Sequence, residues 1–321
     1  MKNNINPNKI AIIGAGGVGA TTAYALMVQG IGSEIVLIDI NKDKAEGEAM
    51  DLRHGASFVN PVNIYAGDYK DLADAKLIVI TAGAAQKPGE SRLDLVKKNT
   101  GIFKNIISSI TQYNQDGILL VVTNPVDILT YISWKLSGFP ANRVIGSGTV
   151  LDTSRFRSLL SKNCGVAASN VHGYIIGEHG DSEVPVWSLT NIAGTQIENY
   201  CPICNKDCVG NELEDISKKV KNAAYEIIDK KEATFYAIAL AVARIARAIL
   251  RDENAVLTVS SLMQGYYGVE DISLSLPTLI NADGIDKVLE LPLSDQEEKD
   301  FKESAQNLKS NIRDNVEDMI E

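Results

Sequence analysis

The stretch KIAIIGAGGVGATTAYAL, residues 9–26, decides the fold of this chain. An apolar run typical of a buried strand leads into the spacing Gly14-x-Gly16-x-x-Gly19, and a helix opens near Gly17. Glycines at these positions let the backbone approach a pyrophosphate, whose negative charge then lies at the helix N-terminus. The stretch therefore predicts a dinucleotide-binding turn between a strand and a helix. A glycine-rich turn that binds nothing is the alternative.

The next strand favours a dinucleotide site over an empty turn. The sequence EIVLIDI, residues 34–40, predicts a second buried strand, and Asp39 lies near its end, twenty residues beyond Gly19. A carboxylate there accepts hydrogen bonds from ribose hydroxyls and repels a 2′-phosphate, which favours NAD over NADP as the cofactor. Asp39 as a simple helix cap is the alternative.

The order of strand and helix signals predicts an α/β fold with two domains. Strands and helices alternate over the first half, which predicts a doubly wound parallel sheet. The second half predicts long helices at about 212–229 and 232–251, antiparallel strands in AVLTVSSLMQGYYG, and an acidic helix from Ser294. We place an NAD-binding Rossmann domain at residues 1–148 and a mixed α+β catalytic domain at residues 149–321.

Composition excludes several classes of partner. The chain has 321 residues, 45% of them hydrophobic, and a net charge of −10, so nucleic acid is not an expected partner. No apolar run approaches the roughly 18–20 residues of a membrane helix. The apolar segment before the first glycines is too short for a secretory signal. We therefore expect a cytoplasmic protein whose four cysteines are reduced thiols.

Three polar motifs predict acid–base chemistry on a substrate that carries a carboxylate. His179, one of only three histidines, lies on the polar loop IIGEHGDSEVP, and SGTVLDTSRFRSLL places Asp152 and Arg155 on one helix face. An aspartate beside a histidine fixes its tautomer and stabilises the imidazolium, and a nearby arginine can grip a carboxylate. Asn124, in VVTNPVD, follows another strand and can donate to a substrate oxygen. A histidine with a purely structural role is the alternative.

Five motifs in order resemble the L-lactate/malate dehydrogenase family along essentially the whole chain. They are GAGGVG, AGAAQKPGESRLDLV, TNPVD, GSGTVLDTSRFR and GEHGDSEVP. The resemblance implies that His179 gives and takes the proton, that Asp152 is its partner and that Arg155 holds the substrate carboxylate. It also implies that Arg92, on a loop that closes over the site, polarises the reacting carbonyl.

The same resemblance implies the rest of the binding site. Asn124 would contact both the substrate oxygen and the cofactor, Thr234 would line the substrate pocket, and Ile238 would pack against the nicotinamide. The cofactor-binding residues that it implies are Gly14, Gly16, Val18, Gly19, Asp39, Thr81, Gly83, Asn99, Thr123, Asn124 and Ile238. No metal is expected.

Gln86 predicts which acid the site accepts. By resemblance, malate enzymes carry arginine at this position, which pairs with the second carboxylate of oxaloacetate, whereas lactate enzymes carry glutamine. A neutral amide beside the methyl group of pyruvate costs little, but a second carboxylate buried opposite Gln86 would lack a counter-charge. We therefore expect pyruvate and L-lactate as substrates, in the last step of lactate fermentation. The adjacent Lys87 leaves a malate dehydrogenase, or another 2-hydroxy-acid dehydrogenase, as the alternative.

Arg157 and His172 resemble residues that bind fructose 1,6-bisphosphate between subunits of bacterial members of the family. Cations that meet across a two-fold axis repel one another unless an anion bridges them, so the ligand would favour assembly. We therefore expect an allosteric homotetramer activated by this sugar bisphosphate. Lys9 already begins the first strand, so little N-terminal arm is left to clasp a neighbouring subunit. An interface pair without an effector is the alternative.

Two clusters remain outside this interpretation. Cys201-x2-Cys204-x3-Cys208 resembles a metal site, but zinc needs a fourth ligand, and a surface loop with reduced thiols is the favoured interpretation. A non-catalytic NAD sensor or metal-binding interaction protein is the rival function. The arginines of the helix AIALAVARIARAIL are interpreted as a solvated stripe or an interface; they are Arg244, Arg247 and Arg251.

Overall fold

The first half of the chain alternates strands and helices, as its apolar runs predict. The computed structural model describes residues 5–84, 92–204 and 211–320. The elements of this half are β1 (Asn6–Ile13), α1 (Gly17–Gln29), β2 (Glu34–Ile38), α2 (Lys42–His54), β3 (Asn63–Ala66), β4 (Ala75–Ile80), α3 (Arg92–Tyr113), β5 (Ile118–Val121), α4 (Val126–Ser137) and β6 (Val144–Gly146).

The second half combines short strands, long helices and one long antiparallel hairpin. Its elements are α5 (Val150–Cys164), β7 (Val171–His172), β8 (Ile175–Ile176), β9 (Val184–Pro185), β10 (Asn191–Ile192), β11 (Thr195–Gln196), α6 (Ile197–Cys204), α7 (Asn211–Lys231), α8 (Tyr236–Leu250), β12 (Ala255–Gln264), β13 (Glu270–Asn281), β14 (Gly284–Val288), α9 (Asp295–Asn315) and α10 (Glu317–Ile320). Within the described ranges, no helix combines the length and apolar character that a membrane crossing needs.

The central sheet has the strand order β14-β13-β12-β6-β5-β4-β1-β2-β3. Strands β1 to β6 pair in parallel in the order 3-2-1-4-5-6, with β1 between β2 and β4. This is the doubly wound arrangement of a dinucleotide-binding fold, and the predicted fold class is confirmed. Strand order reverses between β1 and β4, so a crevice opens at the carboxyl ends of these strands, where such folds bind ligands.

The hairpin of the second half extends this same sheet, which the sequence did not predict. Strand β12 pairs antiparallel with β6 through Ser260 and Gly146, and β13 and β14 continue the sheet beyond it. Only glycine fits at residue 146, because a Cβ there would lie 2.3 Å from Thr130 Oγ1. The catalytic half is therefore attached to the edge of the parallel sheet.

Helices cover both faces of the sheet and bury two apolar layers. One layer contains Phe103, Ile107, Leu129, Leu274 and Phe301, which come from α3, α4, β13 and α9. The other layer contains Leu26, Ala45, Leu52, Ile245 and Ile249, which come from α1, α2 and α8. Burial of each large apolar side chain stabilises the fold by about 1.5–3 kcal/mol, so the sheet is a rigid base for the loops at its edge.

Candidate active site

The glycine turn after β1 leaves room for a phosphate group. A Cβ on Gly19 would lie 1.8 Å from the Gly14 carbonyl oxygen, whereas a Cβ on Gly16 would meet nothing within 4 Å. Gly16 caps α1 without a side-chain hydrogen bond, and the first turn of that helix carries no acidic residue. The N-terminal N–H groups of α1 thus face open space without an acidic side chain from the helix itself, which fits the pyrophosphate of a dinucleotide.

Asp39 lies against the same turn. Its Oδ2 accepts a hydrogen bond from the backbone N–H of Ala15 at 2.7 Å, and its Oδ1 accepts one from Asn41 at 2.9 Å. These bonds fix the carboxylate beside the glycine turn, at the end of β2. The arrangement fits a ribose whose 2′-hydroxyl is unmodified, because a 2′-phosphate would meet a negative charge.

Several of the predicted cofactor residues tie neighbouring strand ends together. Thr81 Oγ1 donates to the Gly14 carbonyl at 2.9 Å, and Thr123 Oγ1 donates to the Ala82 carbonyl at 2.9 Å. The fully buried Asn99 accepts from the Ala84 N–H at 2.8 Å and donates to the Asn124 carbonyl at 2.9 Å. The loops after β1, β4 and β5 are therefore held as one unit around the crevice.

Three further residues of the predicted cofactor site, Gly83, Asn124 and Val18, lie on these loops or at the start of α1. A Cβ on Gly83 would lie 2.3 Å from the Thr123 methyl group, so the loop after β4 approaches that after β5 more closely than a larger residue allows. Asn124 is exposed, and its peptide bond to Pro125 is cis. Val18 lies in the first turn of α1 and is partly buried.

His179, Asp152 and Arg155 come together as predicted. Asp152 lies in the first turn of α5, which follows β6, and His179 follows β8. The Nδ1 atom of His179 is 2.5 Å from Asp152 Oδ2, and the Arg155 guanidinium donates to Asp152 Oδ1 at 2.8 Å. The side chain of Asp152 is 2% exposed, whereas that of His179 is 24% exposed. One buried carboxylate thus orients both cations, and because it holds Nδ1 of His179, Nε2 is the ring nitrogen that can face a ligand.

The charges around His179 favour its protonated form. Burial by itself lowers the pKa of His179, but the charge of Asp152, the hydrogen bond between them and the charges of Asp127 and Glu183 raise that pKa to about 9. Burial also opposes the charge of Asp152, yet the His179 and Arg155 cations hold its pKa below the ordinary value. At neutral pH the imidazole therefore carries a proton that it can donate.

Two further buried acids, which the sequence interpretation missed, flank this group. Asp127 is 2% exposed and Glu183 is 4% exposed, and burial raises the pKa of Asp127 to about 7 and that of Glu183 to about 8. Both lie inside motifs that had already been singled out, TNPVD and GEHGDSEVP. Because both motifs contain other polar residues, nothing in the sequence set these two acids apart.

The segment before α8 lies near the glycine turn. A Cβ on Gly17 would lie 3.5 Å from the ring of Phe235, which neighbours Thr234. Thr234 and Ile238 are both partly buried. The structure thus brings the predicted pocket-wall segment to the start of α1.

Two predicted site residues fall at the gap after residue 84. Gln86 lies outside the described residues. The backbone of Arg92 begins α3, and its side chain is outside the described part. Their predicted roles stay predictions.

Arg157 and His172 lie near each other on the opposite side of α5 from Asp152. Arg157 Nε donates to the carbonyl of Gly173, the residue after His172, at 3.0 Å, and its guanidinium lies 5.5 Å from the ring centre of Tyr174. His172 is exposed on β7. Arg157 and Tyr174, together with Arg244, also line a surface cavity of about 530 Å³.

The cysteine cluster lies partly on a helix, where a loop was expected. Helix α6 extends to Cys204 and includes Cys201, while Cys208 falls outside the described residues. In the part of the chain that the structure describes, no three His, Cys, Asp or Glu side chains are placed to hold a metal ion.

The arginine stripe of α8 is engaged in local pairs. Arg244 and Arg247 pair with Glu253 at 2.8 and 2.9 Å, and Arg251 donates to the Gly30 carbonyl at 3.1 Å. Since one carboxylate binds two of the three guanidinium groups and a backbone carbonyl binds the third, the stripe has a structural explanation.

A dinucleotide turn and a protonated histidine–aspartate pair at one edge of a parallel sheet define an NAD-dependent dehydrogenase. Models of the lactate/malate dehydrogenase family match residues 8–146, as its NAD binding domain, and 149–319, as its alpha/beta C-terminal domain. The chain belongs to this family, and NAD is its cofactor.

Individual relatives agree with this assignment. The chain is 59% identical over 307 residues to an L-lactate dehydrogenase of Thermoanaerobacter sp., covering 96% of this chain and 99% of that protein. It is 58% identical over 313 residues to one of Acetivibrio thermocellus, covering 98% and 99%. The crystal structure of minor L-lactate dehydrogenase from Enterococcus mundtii, in its ligands-bound form, superposes with a TM-score of 0.92 at 45% identity, covering 95% of this chain and 98% of that one.

Proposed function

We propose that this enzyme catalyses the reversible reduction of pyruvate to L-lactate, with His179 as the group that exchanges the proton. The observation that carries the proposal is the His179–Asp152–Arg155 arrangement at the same sheet edge as the glycine turn. When bound, NADH supplies the hydride that reduces the ketone carbon. The relatives named above are L-lactate dehydrogenases.

Each polar residue has a distinct task in this proposal. His179 protonates the developing alkoxide through Nε2, while Asp152 holds Nδ1 and stabilises the imidazolium. Arg155 uses one N–H group on Asp152, so the rest of its planar fork can bind the substrate carboxylate. Arg92, the first residue of α3, polarises the carbonyl, and Asn124 contacts the same oxygen.

The binding pocket follows the same scheme. Thr234 lines the substrate pocket and Ile238 packs against the nicotinamide, since both lie in the segment that reaches the start of α1. The glycine turn and its neighbours hold the rest of the cofactor; these residues are Gly14, Gly16, Val18, Gly19, Asp39, Thr81, Gly83, Asn99, Thr123 and Asn124. The domain boundary falls after residue 148, between β6 and α5.

The choice of acid rests on Gln86, and one experiment tests it. Steady-state oxidation of NADH with pyruvate and with oxaloacetate should show a clear preference for pyruvate. Gln86→Arg should transfer the preference toward oxaloacetate, because the new guanidinium pairs with the second carboxylate. Wild-type preference for oxaloacetate would replace this proposal with a malate dehydrogenase, whereas unchanged selectivity in the variant would refute the role of Gln86.

We further propose that fructose 1,6-bisphosphate activates the enzyme at Arg157 and His172. Arg157 donates to the carbonyl of Gly173, the residue after His172, and it lines a cavity together with a further arginine, Arg244. Kinetics at near-neutral pH with and without the sugar bisphosphate test the proposal. Arg157→Gln should abolish the response and leave the unstimulated rate intact, whereas identical kinetics in the wild type would remove the effector.

We propose a homotetramer as the working assembly and the cytoplasm as its location, in the last step of lactate fermentation. Large apolar side chains are exposed on the packed pair α1 and α8 and on the strand that follows; they are Tyr24, Val28, Tyr236, Leu240 and Val256. Such a patch is expected to be covered by another copy of the chain. Light scattering in solution measures the mass of the assembly, and a monomer would contradict the proposal.

A further inference from the structure

Asp127 touches the catalytic loop but has no task in the mechanism above. It lies in the first turn of α4, three residues after Asn124, and is 2% exposed. Its Oδ2 accepts a hydrogen bond from the backbone N–H of His179 at 2.7 Å, between residues 52 apart in sequence. The bond therefore joins the helix that follows Asn124 to the loop that carries the proton donor.

The surroundings of the Asp127 carboxyl group make an unfavourable contribution to the free energy of folding. Within the described residues, its Oδ1 and the buried hydroxyl of Ser260 have no hydrogen-bond partner of good geometry. Ser260 still lies near enough to favour the charged form of Asp127, although burial outweighs this and raises the pKa of Asp127 to about 7. A buried carboxyl with one oxygen unsatisfied destabilises a protein, so stability alone does not explain its presence.

The loop that holds His179 needs restraint from outside. Glycines lie on both sides, at Gly177 and Gly180, and Gly177 has a φ of +85°. Gly177 exchanges two backbone hydrogen bonds with Ser275 of β13, at 2.9 and 3.0 Å. The Asp127 bond then fixes the backbone of His179, two residues further on.

We propose that Asp127 is a positioning residue, whose carboxyl group fixes the backbone of His179 relative to α4 and so sets the distance between the proton donor and the substrate oxygen. Asp152 orients the imidazole ring of His179, and Asp127 fixes the position of the His179 backbone from which that ring extends. The inference rests on the proposed role of His179. Displacement of a catalytic group by about 1 Å can reduce a rate on the order of a hundredfold.

Two substitutions separate position from charge. Asp127→Asn keeps an oxygen at the same place to accept the His179 N–H but removes the negative charge. Asp127→Glu keeps the charge but moves the acceptor by one methylene group. Ser133→Ala is the matched control, because Ser133 is also fully buried on α4 and donates to the Leu129 carbonyl at 2.7 Å, away from His179.

The expected results concern kcat and KM for pyruvate together with the pH dependence. D127E should lower kcat by about tenfold or more, with KM changed less, while the pH at which reduction declines stays the same. D127N should keep kcat within about threefold, and its pH profile should fall at a lower pH because a charge that favours protonated His179 is lost. S133A should match the wild type, and all folded variants should bind NADH normally.

Either of two results would overturn the inference. One is a folded D127E with wild-type kcat, and the other is a D127N that loses as much kcat as D127E, because an acceptor kept in its place would then not preserve the rate. Should D127E fail to fold, D127A replaces it: D127A and D127N both lack the charge, but only D127N keeps an acceptor for the His179 N–H, so D127A should lose more kcat. His179→Asn separates this inference from the function itself: if H179N reduces pyruvate at the wild-type rate, the proposed function fails, whereas an inactive H179N beside an unaffected D127E refutes only the positioning role.

Discussion

Two buried ionic clusters in this chain differ in how their surroundings shift the pKa values of their members. The first lies at the start of β1, where Lys9 is 4% exposed and pairs with Asp74 at 2.7 Å and with Glu34 at 3.1 Å. Tyr65 completes it by donating to Glu34 at 2.8 Å. Burial alone would lower the pKa of Lys9, but its carboxylate partners raise that pKa well above the ordinary value.

The second cluster, around His179, has the opposite property. The pKa values of Asp127, Glu183 and His179 are raised to about 7, 8 and 9, so all three titrate near the pH at which enzymes work. In the Lys9 cluster the ammonium ion is satisfied and cannot easily lose its proton. The Lys9 cluster therefore holds its proton firmly, whereas the cluster around His179 contains three groups that gain or lose protons between about pH 7 and pH 9.

Asp152→Asn should have the largest effect on activity. The variant removes the charge that raises the pKa of His179 and lets the wrong tautomer form, so kcat/KM for pyruvate should fall on the order of 10²–10⁴-fold. Wild-type reduction requires protonated His179, so it should decline as the pH rises past about 9. In the variant this decline should begin at a lower pH. A pH profile with an unchanged upper limb would show that Asp152 does not set the protonation of His179.

Arg155→Lys should have an intermediate effect, mainly on KM. Lysine keeps the charge but loses the planar fork, which costs about 1.5–3 kcal/mol of binding, or roughly 10- to 150-fold in KM for pyruvate. Saturation kinetics measure the change, and NADH affinity serves as the control. A wild-type KM would mean that another cation holds the substrate carboxylate.

Glu183→Gln should have a small effect that depends on pH. With a pKa of about 8, Glu183 is mostly protonated at pH 7, so the variant should then reduce pyruvate within about threefold of the wild-type rate. Above pH 8 the wild type gains a charge that favours protonated His179, so the variant should decline first.

Unfolding provides an independent measurement on the same variant. The pKa of Glu183 is higher in the folded protein than in the unfolded chain, so its contribution to stability is present below about pH 4.5 and is lost as the pH rises through about 8. Glu183→Gln removes this loss. The variant should therefore gain stability relative to the wild type between those pH values, as measured by urea unfolding; a constant difference would contradict the raised pKa.

Among these four variants, Lys9→Met should have the smallest effect on activity and the largest effect on stability. It leaves Glu34 and Asp74 without their cation, and because these side chains are 24% and 42% exposed, water compensates part of the loss. We expect the free energy of unfolding to fall by about 1–3 kcal/mol, less than for a fully buried pair. kcat should stay within about twofold of the wild type, and a larger loss would link the Lys9 cluster to the site.

The local parts of this molecule follow from its sequence, since local rules govern them. Apolar runs and glycine spacing predict β1, α1 and β2 closely. The sequence predicts a gap of about two residues between α7 and α8, yet α7 ends at Lys231 and α8 begins at Tyr236, because Glu232 adopts a φ of +69° that ends the preceding helix. Such a backbone conformation leaves no signature in the pattern of apolar residues.

The remaining parts depend on contacts between distant residues. His179 and Asp152 are 27 residues apart, and resemblance to a family paired them where spacing alone could not. Asp127 and Glu183 became visible only through their burial, which depends on elements from both halves of the chain. The pairing of Ser260 with Gly146 joins two strands through a single position, too little for a pattern to predict.

That single pairing has a consequence for any attempt to divide the chain. A fragment that ends at residue 148 would expose β6 as a new edge beside an apolar sheet, because Gly146 would lose its pairing with Ser260. Exposed apolar edges pair with other chains and aggregate. The NAD-binding half is thus recognisable as a domain by its sequence, but we expect it to aggregate when the hairpin of the other half no longer covers its edge.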